Sequence, residues 1–189
     1  MKKIFLLILF FFILFTFHIS LLFALPAEDV QLITDGQYFQ VAKKVIQGAQ
    51  SSIQVMMFEM EYYDKYPQSP SNLLIKDLID ARKRGVKVEV ILEVREGRDR
   101  TAERNRKTGK ILSNGGVEVI YDSLFKTTHA KCMVVDGRLA LLGSTNWTYY
   151  ALTNNNEVSA LIRSKELAKE LIDYFNRVKT TGTKSQKKE

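Results

Sequence analysis

Apolar positions along this chain alternate between the spacing of helices and the short continuous runs of strands. Three predicted helix–strand pairs follow one another, at residues 39–49 and 53–60, 74–81 and 86–94, and 100–113 and 117–121. Asp35 and Ser71 are placed to cap the first two helices, and Gly85 ends the second. This succession predicts a sheet with helices packed against it.

The second half of the chain breaks this alternation. Two β-prone runs, residues 131–135 and 139–142, flank Asp136-Gly137-Arg138, which is typical of a hairpin turn, so we expect two antiparallel strands. A further strand is predicted at 157–162 and an amphipathic helix at 164–178. We therefore predict an α/β fold in which a mixed β-sheet is flanked by helices on both faces.

The N-terminal segment, residues 1–27, is predicted to direct the chain to a membrane. Residues 4–25 are almost entirely apolar and are preceded by two lysines. The length of this run favours a retained anchor, whereas Ala24 and Ala27 offer small residues to a signal peptidase, so both interpretations stay open. Either one predicts an exported protein, periplasmic or extracellular, and the anchored form would stay at the membrane.

The basic charge of the chain does not extend to its predicted domain, residues 28–178. The formal net charge is +7, but residues 28–178 hold 22 basic against 20 acidic residues once the terminal lysines are set aside. Residues 179–189 form a lysine-rich tail that we expect to be flexible. Cys132 is the only cysteine, which excludes an intrachain disulfide and gives little support to a zinc site. Only a local charge cluster could therefore indicate a partner.

Residues suited to chemistry concentrate in the segment that begins at His129. On a strand, His129 and Lys131 point to the same face, so an imidazole lies beside an ammonium group. A neutral imidazole can attack phosphorus while the lysine offsets negative charge that builds on the phosphate oxygens. Gly143 permits close backbone approach, and Ser144 and Asn146 add neutral hydrogen-bond donors. This arrangement suits a phosphate ester.

Glu157 is the candidate partner of the histidine. It lies 28 residues after His129, at the start of a predicted strand. A carboxylate bonded to the second ring nitrogen of a histidine fixes its tautomer and stabilises the charged ring. Each of these residues taken alone is more often structural than functional, so it is their joint spacing that indicates a site.

The segment from His129 to Asn146 resembles the phospholipase D superfamily, whose signature H-x-K-x4-D-x6-G-S-x-N is matched at every fixed position. The resemblance implies a phospholipase D-like α/β/α sandwich and a phosphodiesterase that needs neither a metal nor a cofactor. In such proteins the histidine matching His129 forms a covalent phosphohistidine. The residues matching Lys131 and Asn146 bind the phosphate.

The same resemblance implies roles for three further residues. Ser144 would support the phosphate pocket, and Glu157 would orient the histidine. The aspartate matching Asp136 is usually more structural, which agrees with its place in the predicted turn. The predicted catalytic residues are thus His129, Lys131, Asn146 and Glu157.

One copy of the signature is present, whereas enzymes of the family commonly carry two. A double displacement needs one group to attack phosphorus and an acid on the far side to protonate the leaving oxygen, and His129 cannot be in both places. We therefore predict a homodimer whose twofold axis lies next to His129 and builds one shared site, as in short single-signature members of the family. A tyrosine or glutamic acid of the same chain is the alternative acid.

The substrate is less sharply indicated than the chemistry. A basic cluster at the carboxyl end of a predicted strand contains the candidate nucleic-acid contacts Arg95, Arg98, Arg100 and Arg104. The same cluster is also compatible with a solvated helix face and its ion pairs. Tyrosines of the loop at 62–70 could stack on unpaired bases or serve as packing anchors.

Short exported relatives are typically nucleases, so the resemblance favours an endonuclease that cleaves DNA, with RNA as a further substrate. Two alternatives stay open. The apolar N-terminal segment motivates a phospholipid hydrolase or transphosphatidylase. A catalytically idle module that binds nucleic acid or membrane is the least favoured, because His129, Lys131, Asn146 and Glu157 are all present.

Overall fold

A computed structural model describes residues 24–95, 97 and 99–184 of the chain. The predicted targeting segment, apart from residues 24–27, lies outside the described residues, and so does Arg98. Within the described part of the chain, no helix combines the length and the apolar character needed to cross a bilayer.

The described residues form one eight-stranded sheet with five helices. In chain order the elements are β1 (Asp29–Thr34), α1 (Gln37–Gly48), β2 (Ser52–Met57), α2 (Pro70–Lys83), β3 (Lys87–Leu92), α3 (Arg100–Asn114), β4 (Glu118–Tyr121), β5 (Lys131–Val135), β6 (Leu139–Gly143), α4 (Tyr149–Thr153), β7 (Val158–Arg163), α5 (Lys165–Thr181) and β8 (Thr183–Lys184). The strand order is β1-β7-β6-β5-β2-β3-β4-β8. Strands β2, β3 and β4 are parallel and all other neighbours in the sheet are antiparallel, which confirms the predicted mixed sheet.

Helices cover both faces of the sheet, as predicted. Helices α1, α2 and α3 contribute Ile46, Leu78 and Leu112 to a large core that also contains Val55 of β2. On the other face, Phe175 of α5 packs in a smaller cluster with the apolar side chains Met56, Ile91, Ile120 and Cys132. Because successive strand residues point to opposite faces, neighbouring positions of β2 serve both cores.

The register of the sheet gathers the ends of seven strands at one end of the molecule. Met57 at the end of β2 pairs with Leu92 at the end of β3 and with Lys131 at the start of β5. The remaining strand ends at this level are Thr34, Tyr121, Gly143 and Val158. We call this the site end of the sheet, because side chains carried just beyond these strand ends lie close together.

Both predicted helix caps are wrong. Asp35 adopts a positive φ of 51°, and its carboxylate accepts the N–H of Glu157 at 2.9 Å instead of capping α1. Helix α2 is capped by Ser69, whose hydroxyl accepts the N–H of Asn72 at 3.3 Å. Ser71, the predicted cap, donates its hydroxyl to two main-chain carbonyls. Both predicted residues thus tie distant segments together.

The predicted start of a flexible tail at residue 179 is also wrong. Helix α5 continues to Thr181, and β8 then pairs with β4. The ammonium of Lys179 contacts Glu89 and lies 3.1 Å from Glu118. Ion pairs of the last helical turn therefore hold this part of the chain against the sheet.

Candidate active site

The site end of the sheet brings most of the signature residues together. His129 lies just before β5, Lys131 is its first residue, and Ser144 and Asn146 follow β6. Glu157 precedes β7, the neighbour of β6. Adjacent strands that begin or end at one level hold these side chains on a rigid support, whereas loops alone would not.

The imidazole of His129 and the ammonium of Lys131 are in contact, as the strand geometry predicted. Lys131 Nζ lies 3.3 Å from Nδ1 and 3.4 Å from Nε2 of the ring, and it donates to the carbonyl of His129 at 2.9 Å. The ring of Phe58 packs against the imidazole with centroids 4.4 Å apart, and Lys131 Nζ lies 4.8 Å from its centroid. Phe58 was not predicted as a site residue, because it extends the apolar run of β2 without interruption.

Lys131 is the buried cation of the site. Its side chain lies largely out of solvent, whereas His129 is exposed. Burial lowers the pKa of Lys131 below its ordinary value, although the negative charges of Glu157 and Glu59 oppose that effect. An incompletely neutralised ammonium beside an accessible imidazole is a favourable place for an anion.

Glu157 is fixed by a network of hydrogen bonds around the ends of β6 and β7. The hydroxyl of Ser144 donates to one of its carboxylate oxygens, and Asn155 donates to the other at 3.1 Å. The hydroxyl of Ser144 also accepts the N–H of Val158 at 3.1 Å, and Asp35 accepts the N–H of Glu157. Asp35 was missed as a member of this network because its position resembles that of a helix cap.

The expected hydrogen bond between Glu157 and the imidazole is not found among the described residues. The ring of His129 contacts Lys131 and Phe58, and both carboxylate oxygens of Glu157 have other donors. In this arrangement Glu157 acts on the site through its charge, which favours the protonated form of Lys131.

Asn146 carries a polar atom that its surroundings leave unused. Its Oδ1 is buried, and no donor of the described residues bonds it. A buried amide oxygen without a partner costs free energy. Rotation of the amide by 180° would present its NH2 group to the same space, so this side chain can offer either an acceptor or a donor.

Gly143 has the close backbone contact that the sequence predicted. A Cβ at this position would lie 2.2 Å from Ser159 Oγ and 2.4 Å from the carbonyl oxygen of Val158. Beside it, the hydroxyls of Thr145 and Ser159 are 3.1 Å apart. The chain at Gly143 therefore lies tightly against its neighbour strand β7, immediately before Ser144.

Asp136 lies at the opposite end of the sheet and does not contact the phosphate-binding candidates. Its carboxylate accepts the N–H groups of Ser51 at 2.7 Å, Ser52 at 3.0 Å and Gln50 at 3.0 Å, and the hydroxyl of Ser51 at 2.8 Å. Burial alone would raise the pKa of Asp136, but these bonds prevail and hold it below its ordinary value. The contacts are those of a structural residue, so any support for phosphate binding is indirect.

The arginines predicted to contact nucleic acid are partly engaged by the protein itself. Arg104 lies 2.6 Å and 3.2 Å from two glutamates of the segment after β2, and their contacts raise its pKa. Arg95 lies 3.1 Å from another carboxylate. Arg100 is exposed and has no ion pair within the described part of the chain, and Arg98 lies outside it. The charge available to a polyanion is therefore smaller than the sequence indicates.

Two buried polar residues hold the segments that flank the imidazole. Asn105 of α3 donates to the carbonyls of Phe58 and Glu93 and accepts the N–H of Met60, each at 2.8 Å. The carboxylate of Glu93 accepts the N–H of Thr128 at 2.6 Å, immediately before His129. In the sequence Asn105 is one polar residue of a polar helix, which leaves no signal of its burial.

Sequence comparisons find similarity to a cardiolipin hydrolase and to cardiolipin synthases. A family model described as "Cardiolipin synthase, PLD-like domain" matches residues 42–179. Mitochondrial cardiolipin hydrolase from Canis lupus familiaris is 30% identical over 95 residues, which are 50% of this chain and 35% of that protein. Cardiolipin synthase from Listeria monocytogenes is 37% identical over 67 residues, 35% of this chain and 14% of that protein. The matched part is thus less than half the length of either relative.

Two solved structures share the fold over nearly their whole length. A phospholipase D family member, Nuc from Salmonella typhimurium, has a TM-score of 0.69 and 23% identity, and the match covers 84% of this chain and 99% of Nuc. NucT from Helicobacter pylori has a TM-score of 0.65 and 16% identity, with 83% of this chain and 99% of NucT covered. Since the family model also covers most of the sequence, the chain belongs to the phospholipase D-like family.

Proposed function

We propose that this protein is a metal-independent phosphodiesterase that cleaves DNA, and RNA as a further substrate, through a phosphohistidine intermediate in a site shared by two copies of the chain. The observation that carries the proposal is the contact between the exposed imidazole of His129 and the buried ammonium of Lys131. An imidazole can form a bond to phosphorus, and the adjacent cation stabilises the charge that then develops on the phosphate oxygens.

In the first step, a ring nitrogen of His129 attacks phosphorus and forms a P–N bond as the P–O bond to the leaving group breaks. Lys131 and the amide of Asn146 hold the non-bridging oxygens. The leaving oxygen takes a proton from the imidazolium of His129 of the second copy. Water then attacks phosphorus, that second imidazole accepts the proton of the water, and the P–N bond breaks to release a phosphomonoester and the free histidine.

Apolar surface next to the site supports the dimer. Phe125 is 99% exposed and Leu124 is 51% exposed in the loop that leads to His129. On the other side of the site, Val158 is 59% exposed directly after Glu157. Exposed apolar residues that flank a functional site favour burial against a partner, and a twofold axis here would bring two copies of His129 face to face.

Two features support nucleic acid as the substrate. The fold matches Nuc and NucT over 99% of each chain, whereas the match to the listerial cardiolipin synthase covers 14% of that protein. The single signature from His129 to Asn146 also resembles that of short members of the family, which are typically nucleases. The exposed position of His129 is compatible with a long polymer that passes across the surface.

The experiment that tests this proposal offers several phosphodiesters to the purified full chain in EDTA: single-stranded DNA, duplex DNA, RNA and cardiolipin vesicles. We expect cleavage of DNA, and after a denaturing quench in alkaline detergent we expect label from the substrate on the protein in an acid-labile, alkali-stable bond, as for phosphohistidine. His129→Asn should abolish both results, whereas His18→Asn, the same change in the apolar N-terminal segment, should change neither. Full activity of His129→Asn would refute the assignment of the nucleophile.

The shared site is tested by subunit mixing. If each site needs His129 from two copies, mixed dimers of wild type and His129→Asn are inactive, and activity follows the square of the wild-type fraction. Independent monomers would give a linear dependence on that fraction. A linear result would therefore exclude the shared site while leaving the nucleophile assignment intact.

A second candidate function is hydrolysis of a phospholipid. The sequence matches to cardiolipin hydrolase and cardiolipin synthase motivate it, and so does the apolar run at residues 4–25. The same two-step chemistry would apply, with an alcohol headgroup as the leaving group. Turnover of cardiolipin vesicles without cleavage of any nucleic acid would establish this function in place of the first.

A further inference from the structure

A groove lined by tyrosines lies on the surface beside the candidate active site. It has a volume of about 770 Å³, and its walls come from two segments, the loop after β2 and the start of α4. The first segment contributes Tyr63, Lys65 and Tyr66, and the second contributes Tyr149 and Tyr150. Four of the nine lining residues are thus tyrosines.

Both walls of the groove are continuous with segments that build the site. The loop after β2 begins at Phe58, which packs on His129, and α4 follows Asn146 after a short connection. The two segments run side by side, because the N–H of Trp147 donates to the carbonyl of Glu59 at 3.0 Å. Along the chain, the residues that line the groove therefore follow within a few positions of Phe58 and Asn146, which lie at the proposed phosphate site.

The two walls are also bonded to each other at the floor of the groove. The N–H of Tyr149 donates to the hydroxyl of Tyr63 at 3.0 Å, and burial raises the pKa of Tyr63 to about 12, so this hydroxyl stays protonated at neutral pH. Tyr66 and Tyr150 are each 67% exposed, so their rings are accessible to a ligand. The groove thus combines one tyrosine held in place by a hydrogen bond with two tyrosines whose rings are exposed to solvent.

We propose that this tyrosine groove binds unpaired nucleobases next to the scissile phosphodiester, so that the enzyme prefers single-stranded over duplex nucleic acid. This inference rests on the proposed nuclease function. Aromatic side chains stack on bases of any sequence, and a nearby cation tracks the phosphate backbone. Lys65 supplies that cation, since within the described part of the chain it forms no ion pair.

The chemistry of the walls favours bases over acyl chains. The lining contains phenol rings, two prolines, Gln68 and Ser69, and it includes no aliphatic Leu, Ile or Val. A flat ring with polar edges can stack here and bond the hydroxyl and amide groups at the same time. Bases in a duplex are already stacked on one another, so they reach the groove only after they leave the helix.

The test compares Tyr66→Ala and Tyr150→Ala in the full chain with the conservative variant Tyr150→Phe. We expect each alanine variant to lower kcat/KM for a single-stranded oligonucleotide about tenfold, as for the loss of one base–aromatic stack, and mainly through KM. Activity on an abasic oligonucleotide of the same length, which lacks aromatic rings, should be the same in wild type and alanine variants, and Tyr150→Phe should retain wild-type kinetics. Tyr174→Ala, which removes a partly exposed tyrosine of α5 outside the groove, is the matched control.

Binding isolates the role of the bases. In the His129→Asn background, the alanine variants should weaken binding of an oligothymidylate but not of an abasic oligomer with the same number of phosphates. Equal kinetics of wild type and both alanine variants on single-stranded DNA would overturn the inference while leaving the nuclease function intact. A wild-type protein that cleaves only cardiolipin would overturn both, and a loss of cardiolipin turnover in the tyrosine variants would then identify the groove as a lipid site.

Discussion

Asp136 matches a signature position, yet its contacts predict a role in the stability and strand alignment of the fold and none in the chemistry. In Asp136→Asn, the amide oxygen can still accept from Ser51 and Ser52, but the NH2 group faces the N–H of Gln50, so one bond is lost and the others are weakened. Asparagine tolerates the positive φ of 53°, so backbone strain does not contribute. Hydrogen bonds to a charged acceptor contribute about 1.5–3 kcal/mol each, and discounted for partial exposure the expected loss is about 2 kcal/mol.

This loss is measured as a shift in Tm and as activity per folded molecule. For a domain of this size, about 2 kcal/mol corresponds to a fall in Tm of roughly 4–8 °C. Because the pKa of Asp136 is lowered in the folded protein, its contribution is present above the unfolded pKa near 3.9 and is lost as the pH falls through the folded value. The two proteins should therefore differ at pH 7 and converge in acid.

The control is Asp173→Asn, which removes an exposed carboxylate that pairs with Lys169 at 2.8 Å in α5. An exposed pair of this kind contributes about 0.3–0.5 kcal/mol, so its Tm should hardly change. The reasoning fails if Asp136→Asn loses no more stability than the control. It also fails if activity per folded Asp136→Asn molecule drops at an unchanged Tm, since that result would place the aspartate in the chemistry.

Four further results are expected. Gly143→Ala should destabilise the fold by about 2 kcal/mol in urea unfolding, because the added Cβ would meet the backbone of β7. Gly48→Ala should not destabilise it, because a Cβ there has no atom within 4 Å. Equal unfolding midpoints of the two variants would refute the close approach at Gly143. Asn105→Ala removes three buried hydrogen bonds and should cost about 3 kcal/mol and lower kcat, and an unchanged kcat would separate this asparagine from the site. Burial raises the pKa of Cys132 to about 11, so its thiol should react with a disulfide reagent at pH 8 only after unfolding, and rapid reaction of the native protein would contradict its burial. Lys131 must be protonated to bind phosphate and burial lowers its pKa, so kcat/KM on a small diester should fall as the pH rises through a value below about 10.4. Lys131→Arg should move this fall in kcat/KM to higher pH. A fall at the same pH in both proteins would assign it to another group.

The elements that the sequence predicted are those in which apolar periodicity reports burial. Strand β5 and the helices α1 and α2 bury regular sets of apolar side chains, so the spacing of these residues in the sequence indicates the elements. Strand β1 was missed because it lies at an edge of the sheet with Val30 and Leu32 exposed, and it therefore lacks a continuous buried face. Strand β8, with two exposed residues, gives no signal of its own.

The predicted site shows the same limit at the level of single contacts. Spacing along one strand was enough to place His129 beside Lys131, because alternation in a strand is a local property. The partners of Glu157 depend on how distant segments meet, so Asp35, 122 positions earlier in the chain, could not be recognised. Phe58 was missed for a related reason, since its contact with the imidazole requires β2 to lie beside β5.

The hydrogen bonds between Asp136 and the start of β2 also affect the opposite end of the sheet, where the candidate active site lies. The N–H of Asp136 donates to the carbonyl of Ser52 at 2.9 Å while its carboxylate holds the start of β2, so the two strands are locked in one alignment. A shift of β5 by one residue would turn His129 and Lys131 together to the opposite face of the sheet, and Cys132 towards the larger core. A surface turn about 17 Å from Lys131, five residues at about 3.3 Å each, thus determines on which face of the sheet nucleophile and cation lie.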